Sequence, residues 1–235
     1  MNLFYAPGIN GGFYTLPKEE SKHIVKVLRR IEGDIVYFTD GKGWFYETKI
    51  INAAQSRCEV EILKKLEGDD KLGYNIHIAI APTKNNDRLE WFLEKTTEIG
   101  IGEITPIICE QSERKVVKAE RLEKVITSAV KQSLKSYRPI LNNQLKLKSF
   151  LEQDFDGQKF IAYIDKDVGL ELTKAYKRGE NALVLIGPEG DFRPDEVEMA
   201  KQKGFVPVSL GKSRLRTETA GVVACHTINL LNSIS

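Results

Sequence analysis

The chain has 235 residues, with 35 Lys and Arg against 33 Asp and Glu and a formal charge of +2. Its 41% apolar content suffices for one large domain or two smaller ones, and the near-balance of charge excludes a whole-molecule field as the means of meeting a polyanion, leaving that task to local patches. No run nears the ~18 to 20 apolar residues of a membrane helix, Met1 to Gly8 lacks a secretion pattern, and Cys58, Cys109 and Cys225 are odd in number, far apart and without a Cys-x-x-Cys pair, so a soluble cytoplasmic protein with neither a disulfide framework nor a structural zinc is expected.

The first expected element is a helix. Pro17 stands at a first helical position, Ile24, Val25, Val27 and Leu28 supply an apolar side, and Gly33 stops it. Two β-branched and aromatic runs, Ile35 to Thr39 and Trp44 to Ile50, are joined across Asp40-Gly41-Lys42-Gly43 as a hairpin, and Cys58 to Leu63 alternates as a further strand. Together they make a small β-rich unit. Lys64 to Asn75 is polar, carries two glycines and lacks a period, which places a boundary there and gives domains over 1–70 and 74–235.

Beyond it strands alternate with helices. Ile76 to Ala81 is a short apolar strand ended by Pro82; Asp87 with Glu90 forms an expected capping pair, Leu89, Phe92, Leu93, Thr96 and Ile99 share one helix face, and Gly100 closes that helix. Ile104 to Cys109 is the next strand, and Ala119 to Tyr137 a second amphipathic helix with Leu122, Val125, Ile126 and Ala129 inward. Phe160 to Ile164, Ala182 to Ile186 and Phe205 to Leu210 follow as strands, with helices near 170–178, 194–203 and 217–231. Five strands with intervening helices predict an α/β domain around a parallel sheet.

In such sheets ligands bind beyond the carboxyl ends of the strands, and two loops there carry unusual chemistry. Ile186-Gly187-Pro188-Glu189-Gly190-Asp191-Phe192 runs from an apolar strand to a helix start at Pro194; its glycines permit close backbone approach, and the helix start offers free N–H donors. Local chemistry alone favours an ordinary tight turn. Leu210 to Ala220 places Lys212, Arg214 and Arg216 within five positions before a helix whose expected N-cap is Thr217, an arrangement that suits an anion or a solvated charged loop. No G-x-G-x-x-G follows a predicted strand, and no G-x-x-x-x-G-K-[ST], H-E-x-x-H or G-x-S-x-G occurs, which removes the simplest Rossmann, NTPase, metalloprotease and serine-hydrolase readings. His23, His77 and His226 fall in regular elements and read as structural.

The strings LIGPEGDF, with Glu196 after it, and SLGKSRLRTETA resemble the paired signature segments of the RsmE-type 16S ribosomal RNA uridine-N3 methyltransferases of the SPOUT superfamily. The resemblance runs the length of the chain: HIVKVLR at 23–29, Gly33-Asp34 and Asp40-Gly41 resemble the family's N-terminal PUA-like domain, Lys84 to Gly100 its first methyltransferase helix, and Gln132-Ser133 a polar pair. Asp191 stands where a glycine is frequent, Arg193 where a serine is common, and Leu134-Lys135 where Gly-Arg is usual.

The resemblance implies a SPOUT domain, a parallel sheet flanked by helices and ending in a trefoil knot, preceded by a small PUA-like β-barrel that docks RNA. It implies S-adenosylmethionine as cofactor, held by Ile186, Gly187, Glu189, Gly190, Leu210, Gly211, Leu215 and Thr217. Neutral uracil carries a proton on N3, so its methylation needs a base and a stabiliser of the ring anion. Arg216 is the expected cation, and Glu218, or Glu189, the expected base. Lys26, Arg29 and Arg30, in a stripe with Lys22, and Lys135, in a stripe with Lys124 and Lys131, are expected on RNA phosphates, as is Arg214 from the loop before the last helix. The partners are 16S ribosomal RNA of the small subunit and a second copy of the chain, since Ala220 to Leu231 is apolar around most of its circumference. A ribose 2′-hydroxyl target and a non-catalytic RNA-binding protein of the same fold are the competing readings.

Overall fold

The computed structural model describes residues 2–163 and 170–234. They divide into two compact units, Met1–Lys71 with Val130–Arg138 and Leu72–Ala129 with Pro139–Ser235. The segment 130–138, which the sequence places in the second domain, therefore counts with the first.

In the first unit β1 (Leu3–Tyr5), β2 (Phe13–Thr15), β3 (Ile35–Thr39), β4 (Trp44–Ala54) and β5 (Arg57–Glu67) form one sheet of order β1-β3-β4-β5-β2. All neighbours are antiparallel except β1 and β3. The first helix is shorter than its apolar run suggests. It comprises α1 (Lys18–Lys22) and one wider π-type turn (His23–Val27), closed by Leu28 N–H donating to the His23 carbonyl at 3.0 Å, and Arg29 ends it at φ 55°. This widening keeps Ile24 wholly buried while Val27 emerges 64% exposed, so the expected apolar face is only partly covered. Ile24 joins Phe4, Phe38, Ile50, Cys58 and Val60 in the unit's core.

The second unit is built on β6 (Ile76–Ile80), β7 (Glu103–Ile108), β8 (Ile140–Leu141), β9 (Leu145–Lys146), β10 (Gln158–Ala162), β11 (Ala182–Ile186) and β12 (Val206–Val208). All are parallel, in the order β12-β10-β11-β6-β7-β8, with β9 pairing the far end of β7. Helices α2 (Asn86–Ile99), α3 (Ala119–Gln132), α4 (Leu147–Phe150), α5 (Leu172–Ala175), α6 (Pro194–Gln202) and α7 (Thr217–Ser233) connect them. Every residue of β6 and β11 is buried, as central strands covered on both faces require. Among the described residues no helix is long and apolar enough to cross a membrane.

Several boundaries differ from expectation for identifiable reasons. The cap of α2 is Asn85, whose side chain accepts from Asp87 N–H at 3.0 Å; Asp87 is itself exposed and does not cap. Helix α3 stops at Gln132, five residues early, because Leu134 turns left-handed at φ 54° and Ser136 N–H and hydroxyl donate to Asp70. The Ser136 carbonyl accepts from Gly43 N–H at 3.0 Å and from the Thr39 hydroxyl at 3.2 Å. The helix expected over 170–178 reduces to Leu172–Ala175, and the strand over 205–210 to Val206–Val208. Ile164, the expected end of β10, lies outside the described residues.

Candidate functional site

Strands β10, β11 and β12 lie in register, with Ala162 beside both Ile186 and Val208, so their carboxyl ends open on one edge. A cleft of about 390 Å³ lies there. Chain order reverses here, since β11, which follows β10 in the chain, lies between β10 and β6 while β12 lies on the other side of β10, and a crevice at such a reversal is the usual ligand position of a parallel sheet.

One wall is the loop after β11. Asp191 N–H donates to the Pro188 carbonyl at 2.9 Å, closing a tight turn, and Asp191 takes a left-handed φ of 66°. Its own carboxylate accepts from Phe192 N–H at 2.8 Å, the local bond that makes Asp and Asn tolerable in this conformation. Phe192 is buried and lies against Gly187, where a Cβ would come within 3.0 Å of the ring. The Glu189 carboxylate accepts from Lys84 N–H at 3.0 Å, tying this loop to the one after β6. Glu196, 3% exposed, fastens the far end: its two oxygens accept from Glu110 N–H and Arg193 N–H, both at 2.9 Å.

The other wall is Val208 to Ala220. Gly211 takes φ 121°, accessible to glycine, and its N–H donates to the Ser209 hydroxyl at 3.1 Å. Arg216, not Thr217, occupies the N-cap of α7, with no side-chain cap bond; Thr217 is the first helical residue and is buried. A helix N-terminus with bare N–H groups at a cleft mouth favours negative charge.

Of the eight residues expected at the cofactor, Ile186, Gly187, Glu189, Leu210, Gly211, Leu215 and Thr217 line the cleft; Gly190 does not, and is exposed beside Gln111. Arg214 and Arg216 line it as well and are exposed. Glu218 is not in the lining. Its carboxylate is buried beside Arg88, with Arg88 Nε 3.8 Å from Oε1, and among the described residues Oε2 has no hydrogen-bond partner. Arg88 does line the cleft, as do Ala162 and Tyr163, and sequence reasoning missed all three. A signal existed for Arg88: it is a cation in the first turn of α2, where the helix dipole disfavours one.

In the first unit Lys22, Lys26 and Arg29 are exposed, and Arg30 pairs with Asp34 at 3.7 Å. Lys131 pairs with Glu20 at 3.4 Å. Lys135 follows the end of α3 and is half-buried, so it does not continue the helical stripe expected of it. His77, in the second unit, bonds the Thr105 hydroxyl at 2.7 Å between the rings of Phe150 and Phe155. Burial pushes its pKa down, opposed by Glu103 3.8 Å away.

Two family models match the chain: an RNA methyltransferase domain over residues 70–229 and an RNA methyltransferase PUA domain over residues 16–63. A probable rRNA-methyltransferase from Porphyromonas gingivalis superposes with a TM-score of 0.91 at 44% identity, covering 99% of both chains. A ribosomal RNA small subunit methyltransferase E from Neisseria gonorrhoeae, solved bound to S-adenosyl methionine, gives 0.87 at 28% identity over 98% of both. The Buchnera aphidicola ribosomal RNA small subunit methyltransferase E is 28% identical over 93% of this chain and 88% of its own.

Proposed function

Because the chain belongs to the RNA methyltransferase family, we propose that it transfers the methyl group of S-adenosylmethionine to N3 of a uridine in 16S ribosomal RNA. The observation that carries this reading is the cleft itself: the GPEG and LRTETA segments, distant in sequence, form its two walls at one sheet edge, and Arg216 stands between the lining residues Leu215 and Thr217.

The cleft fits S-adenosylmethionine in size, since about 390 Å³ lies in the range of small-molecule sites. Ala162, Ile186, Val208, Leu210 and Leu215 give apolar walls for an adenine ring, and the turn at Pro188–Asp191 and the start of α7 offer backbone polar groups to its edge and to the ribose. When bound, the cofactor supplies an electrophilic methyl carbon on a sulfonium. Holding donor and acceptor in line can supply ~7 to 11 kcal/mol of the barrier.

The protein's remaining tasks are to take the N3 proton and hold the resulting anion. Arg216 performs the second: it brings a cation, and its planar fork can face ring carbonyl oxygens. Glu189 performs the first, because it lines the cleft and its carboxylate is oriented by Lys84 N–H, whereas Glu218 is not among the lining residues. Arg214 holds a phosphate. Lys22, Lys26 and Arg29, exposed on the first unit, take further phosphates with Arg30 and Lys135. The enzyme works in the cytoplasm as a homodimer through α7 and α2, a reading supported by Leu230 and Trp91, which stay 45% and 41% exposed on these helices.

The test is Arg216→Ala. kcat should fall about 10²-fold or more with S-adenosylmethionine affinity little changed, as for a lost charge stabiliser. Unchanged kcat at saturating RNA would make Arg216 a phosphate contact. Nucleoside analysis of the RNA product reads the position directly, and a ribose-methylated product would overturn the N3 assignment.

A further inference from the structure

We propose that Arg88 is a positioning residue of the methyl-transfer site, acting through Glu218; the inference rests on the cofactor reading above. Glu218 lies in the first turn of α7, immediately after Arg216 and Thr217, with its carboxylate buried, one oxygen 3.8 Å from the Arg88 guanidinium and the other without a hydrogen bond among the described residues. A buried carboxylate so poorly bonded is costly unless a cation compensates it. Arg88 comes from α2, which packs against α7, and its half-exposed side chain also lines the cleft.

Lys84 and Arg121 engage other carboxylates, of Glu113 and Glu90 respectively. The α7 dipole favours Glu218 as well, but it is fixed to the same helix and cannot anchor that helix to α2. Arg88 can. By neutralising Glu218 across the α2–α7 contact it holds the first turn of α7 in place, and with it the Arg216 and Thr217 backbone that forms the cleft wall. Without Arg88, Glu218 must reach water, and the shortest way is to shift or fray that turn.

A four-variant cycle tests this in the full chain, with S-adenosylmethionine affinity measured by calorimetry well below each melting temperature and the melting temperatures recorded without ligand. Arg88→Ala should weaken binding about 10-fold or more and lower the melting temperature. Arg88→Lys, which keeps the charge, should recover most of the affinity. In Arg88→Ala with Glu218→Gln the carboxylate that needed compensation is gone, and affinity should return to within about 3-fold of Glu218→Gln alone. Two losses that simply add would make Arg88 a direct ligand contact and overturn the proposal, as would wild-type affinity in Arg88→Ala. If the unsubstituted protein bound no S-adenosylmethionine, the cofactor reading would fall and this inference with it; if it bound and the rescue were absent, only this inference would fall.

Discussion

Replacing Glu196 by alanine removes a buried carboxylate that holds two backbone N–H groups, those of Glu110 and Arg193, each at 2.9 Å. Hydrogen bonds to a charged group contribute about 1.5–3 kcal/mol each. The sum is reduced because Glu110 and Arg193 are both exposed residues, whose N–H groups can bond water once the carboxylate is gone. The expected loss is therefore about 2–4 kcal/mol in the second unit. Glu196→Gln keeps one acceptor but turns an NH₂ toward a donor, so it should lose about half as much. The two tryptophans divide the signal: Trp44 belongs to the first unit and Trp91 to the second. Urea unfolding followed at Trp91 in a Trp44→Phe background should show the Glu196→Ala midpoint lowered by about 0.7 M or more, given slopes of about 1–3 kcal/mol/M. A shift under about 0.2 M, or a loss in Gln equal to that in Ala, would refute the clamp.

Two further predictions concern the same unit. Burial lowers the pKa of His77 below 6.5, so below that pH the unfolded chain takes up a proton that the folded one refuses; stability is fully present above pH 6.5 and should decline as pH falls. Glu103 moderates the decline, and in His77→Gln, which can still bond Thr105, the Trp91 midpoint should lose this pH dependence. Gly221→Ala would place a methyl 2.5 Å from the buried Phe92 ring, so overpacking of about 1–3 kcal/mol should outweigh the ~1 kcal/mol gain in helix propensity; a raised midpoint would show that α2 and α7 can part.

The parallel sheet was legible because β11 is a continuous apolar run and β6 one broken by His77, both bounded by turns, and the cleft because its loops carry dense polar chemistry next to those runs. What stayed hidden depends on distant partners. Strands β1, β2, β8 and β9 have three residues or fewer, too short for any period to show. The end of α3 is set by Asp70, Gly43 and Thr39, which helical periodicity between 119 and 137 cannot register. Leu134 and Asp191 adopt left-handed backbone where the family resemblance has glycine, so the departures visible in the sequence mark sites of backbone constraint. Glu218 read as a base from its place in a signature segment; the carboxylate's burial follows from the packing of α2, and no local pattern contains it.

The segment 130–138 also sets the order in which the molecule can be completed. The N-terminal sheet is translated by residue 71, yet Ser136, which occupies the Asp70 carboxylate, the Gly43 N–H and the Thr39 hydroxyl, is still unmade. At about 5–20 residues per second the ribosome takes several seconds to supply it. Until then those three groups lack these partners, while β6, α2 and β7 emerge. A first unit cut at the polar linker would lack these bonds, and a fragment that also carries 130–138 should be the more stable of the two.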